Sequence, residues 1–404
     1  MSRAASPLRA LTAALVCAGC GGARIEAPPR VFPLAIAWTA PLGSLPEDNL
    51  ATDGARIFVS TRDGRLRALA PDTGAVLWQV ELAPGSLAAR PGLLLVHHRG
   101  GDVVRVEPES GVVRWRAHTQ ASEPLPPAAS TRAAFVAGAT LDALDLINGR
   151  LLWSRPIGAR ATAPVALLGE RVLVGASDGA LRAFAAEGGA LAWTHETGGG
   201  ALRAAPIEDA DGRLLLGTAA RSVVALRARD GDRLWRWKLG TEVRSEAALL
   251  GGQVLVASYE SVLWAFSRRS GSVSWRAPLP SRPRSAPLLV GSAVLVACYE
   301  TDLVGFDGRN GKRLGALKLP ATFATSALVV GDRLFVGLRG DGAVVAIDVS
   351  AKAPPSPGPS PAPGTSPSAS PAGPQGSPPA GLPAGPGEEK KGKPEPSPTP
   401  PPLS

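Results

Sequence analysis

A Gly and a Trp recur four residues apart along this chain of 404 residues. The first example is the segment "ALAPDTGAVLW", which ends at Trp78. The motif contains Trp78, Trp115, Trp153, Trp193, Trp235 and Trp275, each paired in sequence with Gly74, Gly111, Gly149, Gly189, Gly231 and Gly271. A seventh window, "GFDGRNGKRLG", keeps Gly311 but has Gly315 at the Trp position. Successive Trp residues are 37 to 42 residues apart, and this near-constant period indicates a repeat architecture.

Each repeat carries four short strand-like segments. In the unit that ends near Trp193 they are "TAPVALLG", "RVLVGAS", "GALRAFAAE" and "GALAWTHET". Runs rich in Val, Leu and Ala that are bounded by Gly, Asp or Ser are typical of short antiparallel strands. Four such strands, repeated radially, predict an all-β fold of the β-propeller type.

The two ends of the repeat region complete each other. The segment "LAIAWTAPL" places Trp38 forty residues before Trp78, but no first three strands precede it. The last unit, from about residue 321 to 349, has three strands and no Trp strand. We therefore expect the N-terminal strand to close the final blade, which gives an eight-bladed propeller over residues 34–350.

The Trp residues are predicted to be structural. Trp offers a large apolar surface and one N–H donor, and Gly allows a close approach of backbone to the ring. The seven Trp residues, including Trp38, and the seven Gly residues, including Gly311, are therefore expected to hold neighbouring blades together rather than to bind a ligand.

The N-terminus has the features of an export signal. Two Arg residues precede an apolar stretch over residues 10–19, which is too short to span a bilayer. The following "CAGC" resembles a bacterial lipobox, although Cys17 stands where that pattern prefers Leu. The resemblance implies a lipoprotein signal peptide over 1–19, lipid attachment at Cys20 and a lipidated linker over 20–33.

The C-terminal segment differs in composition from the rest. Residues 351–404 contain 19 Pro and no aromatic residue, and such a segment cannot bury enough apolar surface to order itself. We expect a disordered Pro-rich tail that reaches roughly 170 Å if extended as polyproline II. A spacer, a tether and tolerated low-complexity sequence all agree with this composition.

No catalytic, cofactor or metal site is predicted. The adjacent His97 and His98 lie on a predicted strand, so their side chains point to opposite faces of the sheet. Cys298 lies in an apolar strand and is expected to be a small buried residue. The formal net charge of +9 is spread without a basic run interleaved with aromatic residues, so we expect no nucleic-acid partner.

The windows that end in Trp resemble the docking motif of the pyrroloquinoline-quinone-type propeller repeat. All six share its Gly in the middle and Trp at the end, and five share its Ala at the start, while the second begins with Arg105. The resemblance covers residues 34–349. Two groups share this repeat. Quinoprotein dehydrogenases hold a quinone and Ca²⁺ in the channel and often carry an adjacent Cys pair. The lipoprotein B family of the outer-membrane β-barrel assembly machinery consists of exported eight-bladed rings.

This chain is more similar to the lipoproteins, because it lacks an adjacent Cys pair and long insertions between strands. The resemblance implies a non-enzymatic scaffold without a cofactor, lipid-anchored in the outer membrane and facing the periplasm. Its partners would be envelope proteins, among them an outer-membrane barrel-assembly complex. A quinone-dependent dehydrogenase and an envelope sensor or glycan-binding module are the alternatives.

Overall fold

Each repeat unit forms one four-stranded antiparallel sheet. The computed structural model describes residues 31–349, which contain 32 strands in eight sheets. The predicted all-β, eight-bladed architecture is thereby confirmed. No helix among the described residues is long and apolar enough to cross a membrane.

The blades are numbered here in chain order. Blades 1 and 2 contain β2 (Pro46–Thr52), β3 (Ile57–Thr61), β4 (Arg65–Leu69) and β5 (Val76–Glu81), then β6 (Gly85–Arg90), β7 (Leu93–His98), β8 (Asp102–Val106) and β9 (Val113–His118). Blades 3 and 4 contain β10 (Ala128–Ala129), β11 (Ala133–Ala137), β12 (Thr140–Asp145) and β13 (Leu151–Pro156), then β14 (Ala166–Leu168), β15 (Arg171–Gly175), β16 (Ala180–Ala185) and β17 (Leu191–Glu196).

Blades 5 and 6 contain β18 (Ile207–Glu208), β19 (Arg213–Thr218), β20 (Ser222–Arg227) and β21 (Arg233–Lys238), then β22 (Ala248–Leu250), β23 (Gln253–Ser258), β24 (Val262–Ser267) and β25 (Val273–Pro278). Blade 7 contains β26 (Leu288–Val290), β27 (Ala293–Ala297), β28 (Asp302–Asp307) and β29 (Arg313–Lys318). Blade 8 contains β30 (Leu328–Val330), β31 (Arg333–Leu338), β32 (Ala343–Asp348) and β1 (Ala35–Pro41).

Ring closure occurs in blade 8, as the sequence predicts. Strand β1 pairs antiparallel with β32, and Ala35 lies opposite Asp348 while Pro41 lies opposite Ala343. The two ends of the ring are therefore joined by backbone hydrogen bonds in one sheet. Because β1 supplies the outer strand, blade 8 combines residues that are about 300 positions apart in sequence.

The apolar core lies between the blades. The second and third strands of each blade are almost fully buried, and their Val, Leu and Phe side chains form eight clusters. Packed residues start before the predicted boundary at residue 34, since Val31 is only 4% exposed and belongs to the cluster that joins blades 7 and 8. A segment expected to be linker therefore contributes to the ring.

The antiparallel order gives the ring two distinct faces. The turns between second and third strands lie on the same face as the loops that lead into the next blade, and we call it the Tyr face after Tyr259 and Tyr299. The turns between third and fourth strands, which hold the motif Gly residues, lie on the opposite Gly face. The pairing of Ala35 with Asp348 places both ends of the described chain on the Gly face.

Candidate functional site

The motif Trp side chains contact the blade that follows their own. A Cβ atom placed on Gly74 would lie 2.6 Å from Trp38 Cε3, and one on Gly189 would lie 2.5 Å from Trp153 Cε3. The full set of contacts is Trp38 with Gly74, Trp78 with Gly111, Trp115 with Gly149, Trp153 with Gly189, Trp193 with Gly231, Trp235 with Gly271, and Trp275 with Gly311. These Gly residues also have positive φ angles, so a side chain is disfavoured there by both space and backbone conformation.

Each of these Trp residues also donates a hydrogen bond to the next blade. Its Nε1 atom bonds the carbonyl oxygen that lies three residues before the contacted Gly. The acceptors are Pro71, Pro108, Leu146, Ala186, Ala228, Arg268 and Gly308, at 2.8 to 3.3 Å. The indole thus packs its apolar face against a Gly residue and pairs its N–H group with a carbonyl oxygen.

Blade 7 departs from this rule, and another residue takes the place of its Trp. Gly315 lies opposite Gly305 in the sheet, where other blades have Trp opposite Ala or Arg. The ring of Phe32 covers this pair: Cβ atoms on Gly305 and Gly315 would lie 2.2 and 2.5 Å from it. Phe32 precedes β1, so the N-terminal segment fills the space between blades 7 and 8.

On the Tyr face, the central channel opens into a cavity of about 530 Å³. Arg203, Arg244 and Arg284 border it from blades 5, 6 and 7, each four residues before the first strand of its blade. Glu246 also borders it, and although this residue is exposed, partial desolvation at the channel raises the pKa of its carboxyl group. Pro126 and Pro164 border the cavity from blades 3 and 4, so charge is concentrated on one side of the channel.

A second cavity of about 530 Å³ adjoins the channel at blades 6 and 7. Tyr259 and Tyr299 stand edge to face with ring centres 6.3 Å apart and hydroxyl oxygens 3.2 Å apart. The Arg244 guanidinium lies 4.7 Å from the centre of the Tyr259 ring and forms an ion pair with Glu242 at 2.5 Å. This Tyr pair was not predicted from the sequence, although the matching strings "SYES" and "CYET" and the scarcity of Tyr are visible signals.

The His and Cys candidates have structural environments. His97 is buried, with its ring nitrogens 2.9 and 2.7 Å from the carbonyl oxygens of Leu125 and Ala121. His98 points elsewhere, toward the Pro84 carbonyl at 3.2 Å. Cys298 is buried, and desolvation raises the pKa of its thiol to about 11, so the reactive thiolate is scarce at neutral pH.

The residues of the channel do not fit a quinone and Ca²⁺. Calcium requires six to eight oxygen ligands. Glu246 is the one carboxylate among the described residues that border the channel cavity, and three Arg residues surround the same space. Within residues 31–349 no three His, Cys, Asp or Glu side chains are grouped closely enough to hold a metal ion.

The predicted lipidation site, Cys20, lies outside the described residues, as do the signal peptide over 1–19, most of the linker and the tail over 351–404. Of the two remaining Trp residues, Trp237 is 39% exposed. Trp264 stacks on Phe266 with ring centres 5.9 Å apart.

Comparison with solved structures shows the same fold in proteins of different activity. BamB from Moraxella catarrhalis is 18% identical, with a TM-score of 0.67 over 78% of this chain and 99% of that one. The computationally designed Ika8 protein is 16% identical, with a TM-score of 0.68 over 76% and 98%. A quinohemoprotein alcohol dehydrogenase from Pseudomonas putida is 11% identical, with a TM-score of 0.65 over 80% and 77%. No curated protein sequence matches the chain.

A family model also matches the chain. The model described as outer membrane protein assembly factor BamB matches residues 35–125, 99–236 and 177–353, which together span the whole ring. The Trp motif, the eight blades and their closure by β1 all fall within these matches. The chain therefore belongs to the family of outer membrane protein assembly factor BamB.

Proposed function

We propose that this protein is a non-enzymatic scaffold that assists the assembly of outer-membrane proteins by docking onto a protein partner. The match of the assembly-factor family to the entire ring carries this proposal. The BamB structure from Moraxella catarrhalis supports it, because 99% of that chain aligns with the ring described here.

We further propose that the protein is lipid-anchored at Cys20 and faces the periplasm from the outer membrane. The lipobox-like "CAGC" supports this assignment. Val31 enters the ring on the Gly face, so a linker of about ten residues would hold the Gly face toward the membrane. The Tyr face would then be free for a partner.

A quinone-dependent dehydrogenase is the second candidate, because quinohemoprotein alcohol dehydrogenases share the fold. Identities of 11 and 12% support the fold alone. The oxygen ligands that Ca²⁺ needs do not converge at the described channel, so we favour the scaffold. Calorimetric titration with the quinone and Ca²⁺, followed by an alcohol oxidation assay with an artificial electron acceptor, tests this choice. Stoichiometric binding with turnover would reverse it.

The scaffold proposal is tested by affinity purification from detergent-extracted membranes of the native host. We expect components of the outer-membrane barrel-assembly machinery to co-purify with the wild-type protein. The matched control is Cys20→Ala, which should move to the soluble fraction and recover less of the complex. Purification of the membrane-bound wild type without any barrel-assembly component would refute the proposed role. A Cys20→Ala protein that stays in the membrane would refute the anchor alone.

A further inference from the structure

The chain has two Tyr residues, and both occupy the same position of the repeat in adjacent blades. The backbone N–H of Tyr299 donates to the carbonyl of Arg282 at 2.8 Å, seventeen residues earlier. The same bond joins Arg62 to Leu45, Ser177 to Arg160, Tyr259 to Glu242 and Arg339 to Thr322. Since other blades form this turn with Arg or Ser, the fold does not require Tyr there.

The two Tyr rings differ in what covers them. Tyr259 has the Arg244 guanidinium 4.7 Å and the Arg282 guanidinium 6.0 Å from its ring centre. Tyr299 is 49% exposed, more than any other aromatic side chain among residues 31–349. Its hydroxyl contact with Tyr259 holds the ring in place. Tyr299 is therefore an oriented aromatic plate that is open toward solvent.

Polar groups with unused hydrogen-bonding capacity surround this plate. Ser281 borders the cavity, and its Oγ atom is buried without a hydrogen-bond partner. Arg282 and Glu300 border the cavity too, and within the described residues neither forms an ion pair. Donors and acceptors thus stand around an apolar ring.

The charge at this cavity is close to balanced. Arg244 is neutralised by Glu242 at 2.5 Å, which leaves one guanidinium, Arg282, and one carboxylate, Glu300. Glu260 lies nearby and accepts a hydrogen bond from Trp264 Nε1 at 3.1 Å. Glu300 would repel a strongly anionic ligand and Arg282 a strongly cationic one, so a neutral ligand is favoured.

We propose that the Tyr299 cavity, lined by Tyr299, Arg282, Glu300 and Ser281, binds a neutral glycan. One face of a pyranose ring presents C–H groups that pack on an aromatic plate, while its hydroxyl rim both donates and accepts hydrogen bonds. Arg282 would donate to this rim and Glu300 would accept from it. A cavity of about 530 Å³ is in the size range of small-ligand sites. This binding activity is separate from the scaffold role.

The test uses the purified full-length mature protein with three neutral probes: chitotetraose, cellotetraose and maltotetraose. We expect at least one to bind in calorimetry, with affinity nearly unchanged by added NaCl. Saturation-transfer NMR should show the strongest transfer at the C–H face of one sugar unit. Tyr299→Ala should weaken binding by about tenfold, which corresponds to about 1.4 kcal/mol. Tyr299→Phe should keep most of it.

The matched control is Trp237→Ala, which removes the other exposed aromatic side chain, on blade 5. It should bind the probe as the wild type does. The proposal fails if none of the three glycans binds at millimolar concentration, or if the two Ala variants lose affinity equally while both keep the wild-type melting temperature. Saturable binding of decaproline at Tyr299 with no glycan binding would instead assign the cavity to proline-rich peptides.

Discussion

At the scale of the residue, one Trp side chain joins two blades by two kinds of contact. Trp193 packs its ring against Gly231 and donates from Nε1 to the Ala228 carbonyl at 3.1 Å. Removing the ring leaves a cavity and removes one hydrogen bond at the same place, since the Ala228 carbonyl keeps only its bond from Arg171 Nη1. Both losses act at an interface between blades, where the surrounding sheets have little freedom to collapse.

Trp193→Ala should therefore lower the free energy of unfolding by about 3 to 5 kcal/mol. The matched control is Trp237→Ala, in which the lost side chain is 39% exposed, and which should cost clearly less. Urea unfolding followed by circular dichroism measures both. Equal losses in the two variants would contradict a structural role for the motif Trp.

Two His residues, the buried His98 and the half-buried His195, predict a dependence of stability on pH. Desolvation lowers the pKa of His98, whose Nδ1 atom lies 3.2 Å from the Pro84 carbonyl, and it also lowers the pKa of His195. Below the ordinary His pKa of about 6.5, the unfolded chain takes up protons that the folded protein does not. Stability should be complete above that pH and fall as the pH drops toward the lowered folded-state pKa values.

Unfolding measured between pH 7.5 and pH 5 tests this coupling. In a His98→Gln variant the free energy of unfolding should depend less steeply on pH. In the double variant with His195→Gln it should depend on pH less steeply still. Should the double variant retain the wild-type slope, the dependence must come from other groups. The carboxyl groups of Asp63 and Asp178 have lowered pKa values and act at more acidic pH.

Single departures from the repeat were harder to predict than the repeat itself. The Gly and Trp spacing establishes which positions are equivalent, and the blades follow from it. Tyr299 and Phe32 are different, because their importance depends on side chains that converge from separate blades. The forty-residue spacing places Tyr259 and Tyr299 at equivalent positions of adjacent blades, but it does not show which side chains surround them. Phe32 precedes the first repeat, so it was assigned to the linker.

At the scale of the element, the segment before β1 acts as a substitute for a motif residue. Blade 8 ends its third strand at Asp348 and has no Gly turn within the described chain, so a Trp on β29 would lack its usual partner. Gly315 and Gly305 leave that space open, and Phe32 fills it. The absence of a motif Trp from blade 7 is thus a consequence of how the ring closes.

Phe32→Ala should destabilise the protein by about 2 to 4 kcal/mol, since the ring lies against two Gly residues that cannot fill the gap. Gly315→Trp alone should also destabilise it, because the new indole would collide with Phe32. The double variant Phe32→Ala with Gly315→Trp places an indole in the space that Phe32 leaves, although without the Gly contact of the other blades. Thermal unfolding of all three should show the double variant to be more stable than either single one. If the stability lost in the double variant equals the sum of the losses in the two single variants, Phe32 does not occupy the Trp position.

At the scale of the whole molecule, stability depends on closing the ring. Each blade buries its apolar faces only against its two neighbours, as in other repeat architectures. The backbone pairing of β1 with β32 joins the two ends of the ring, and the Leu42 N–H extends it with a bond to the Gly342 carbonyl at 2.9 Å. Without β1, β32 would expose an unpaired edge, and blade 8 would lose Trp38 from its contact with blade 1.

Deletion of residues 34–42 should therefore lower the melting temperature more than Trp38→Ala does. The point variant removes the indole and its hydrogen bond to the Pro71 carbonyl but leaves the pairing of β1 with β32 intact. The deletion removes both, and the exposed β32 edge should promote association between molecules. Differential scanning calorimetry gives the melting temperatures, and light scattering at matched concentrations reports association. A deletion variant that remains monomeric and melts with the wild type would show that the seven complete blades close without the shared one.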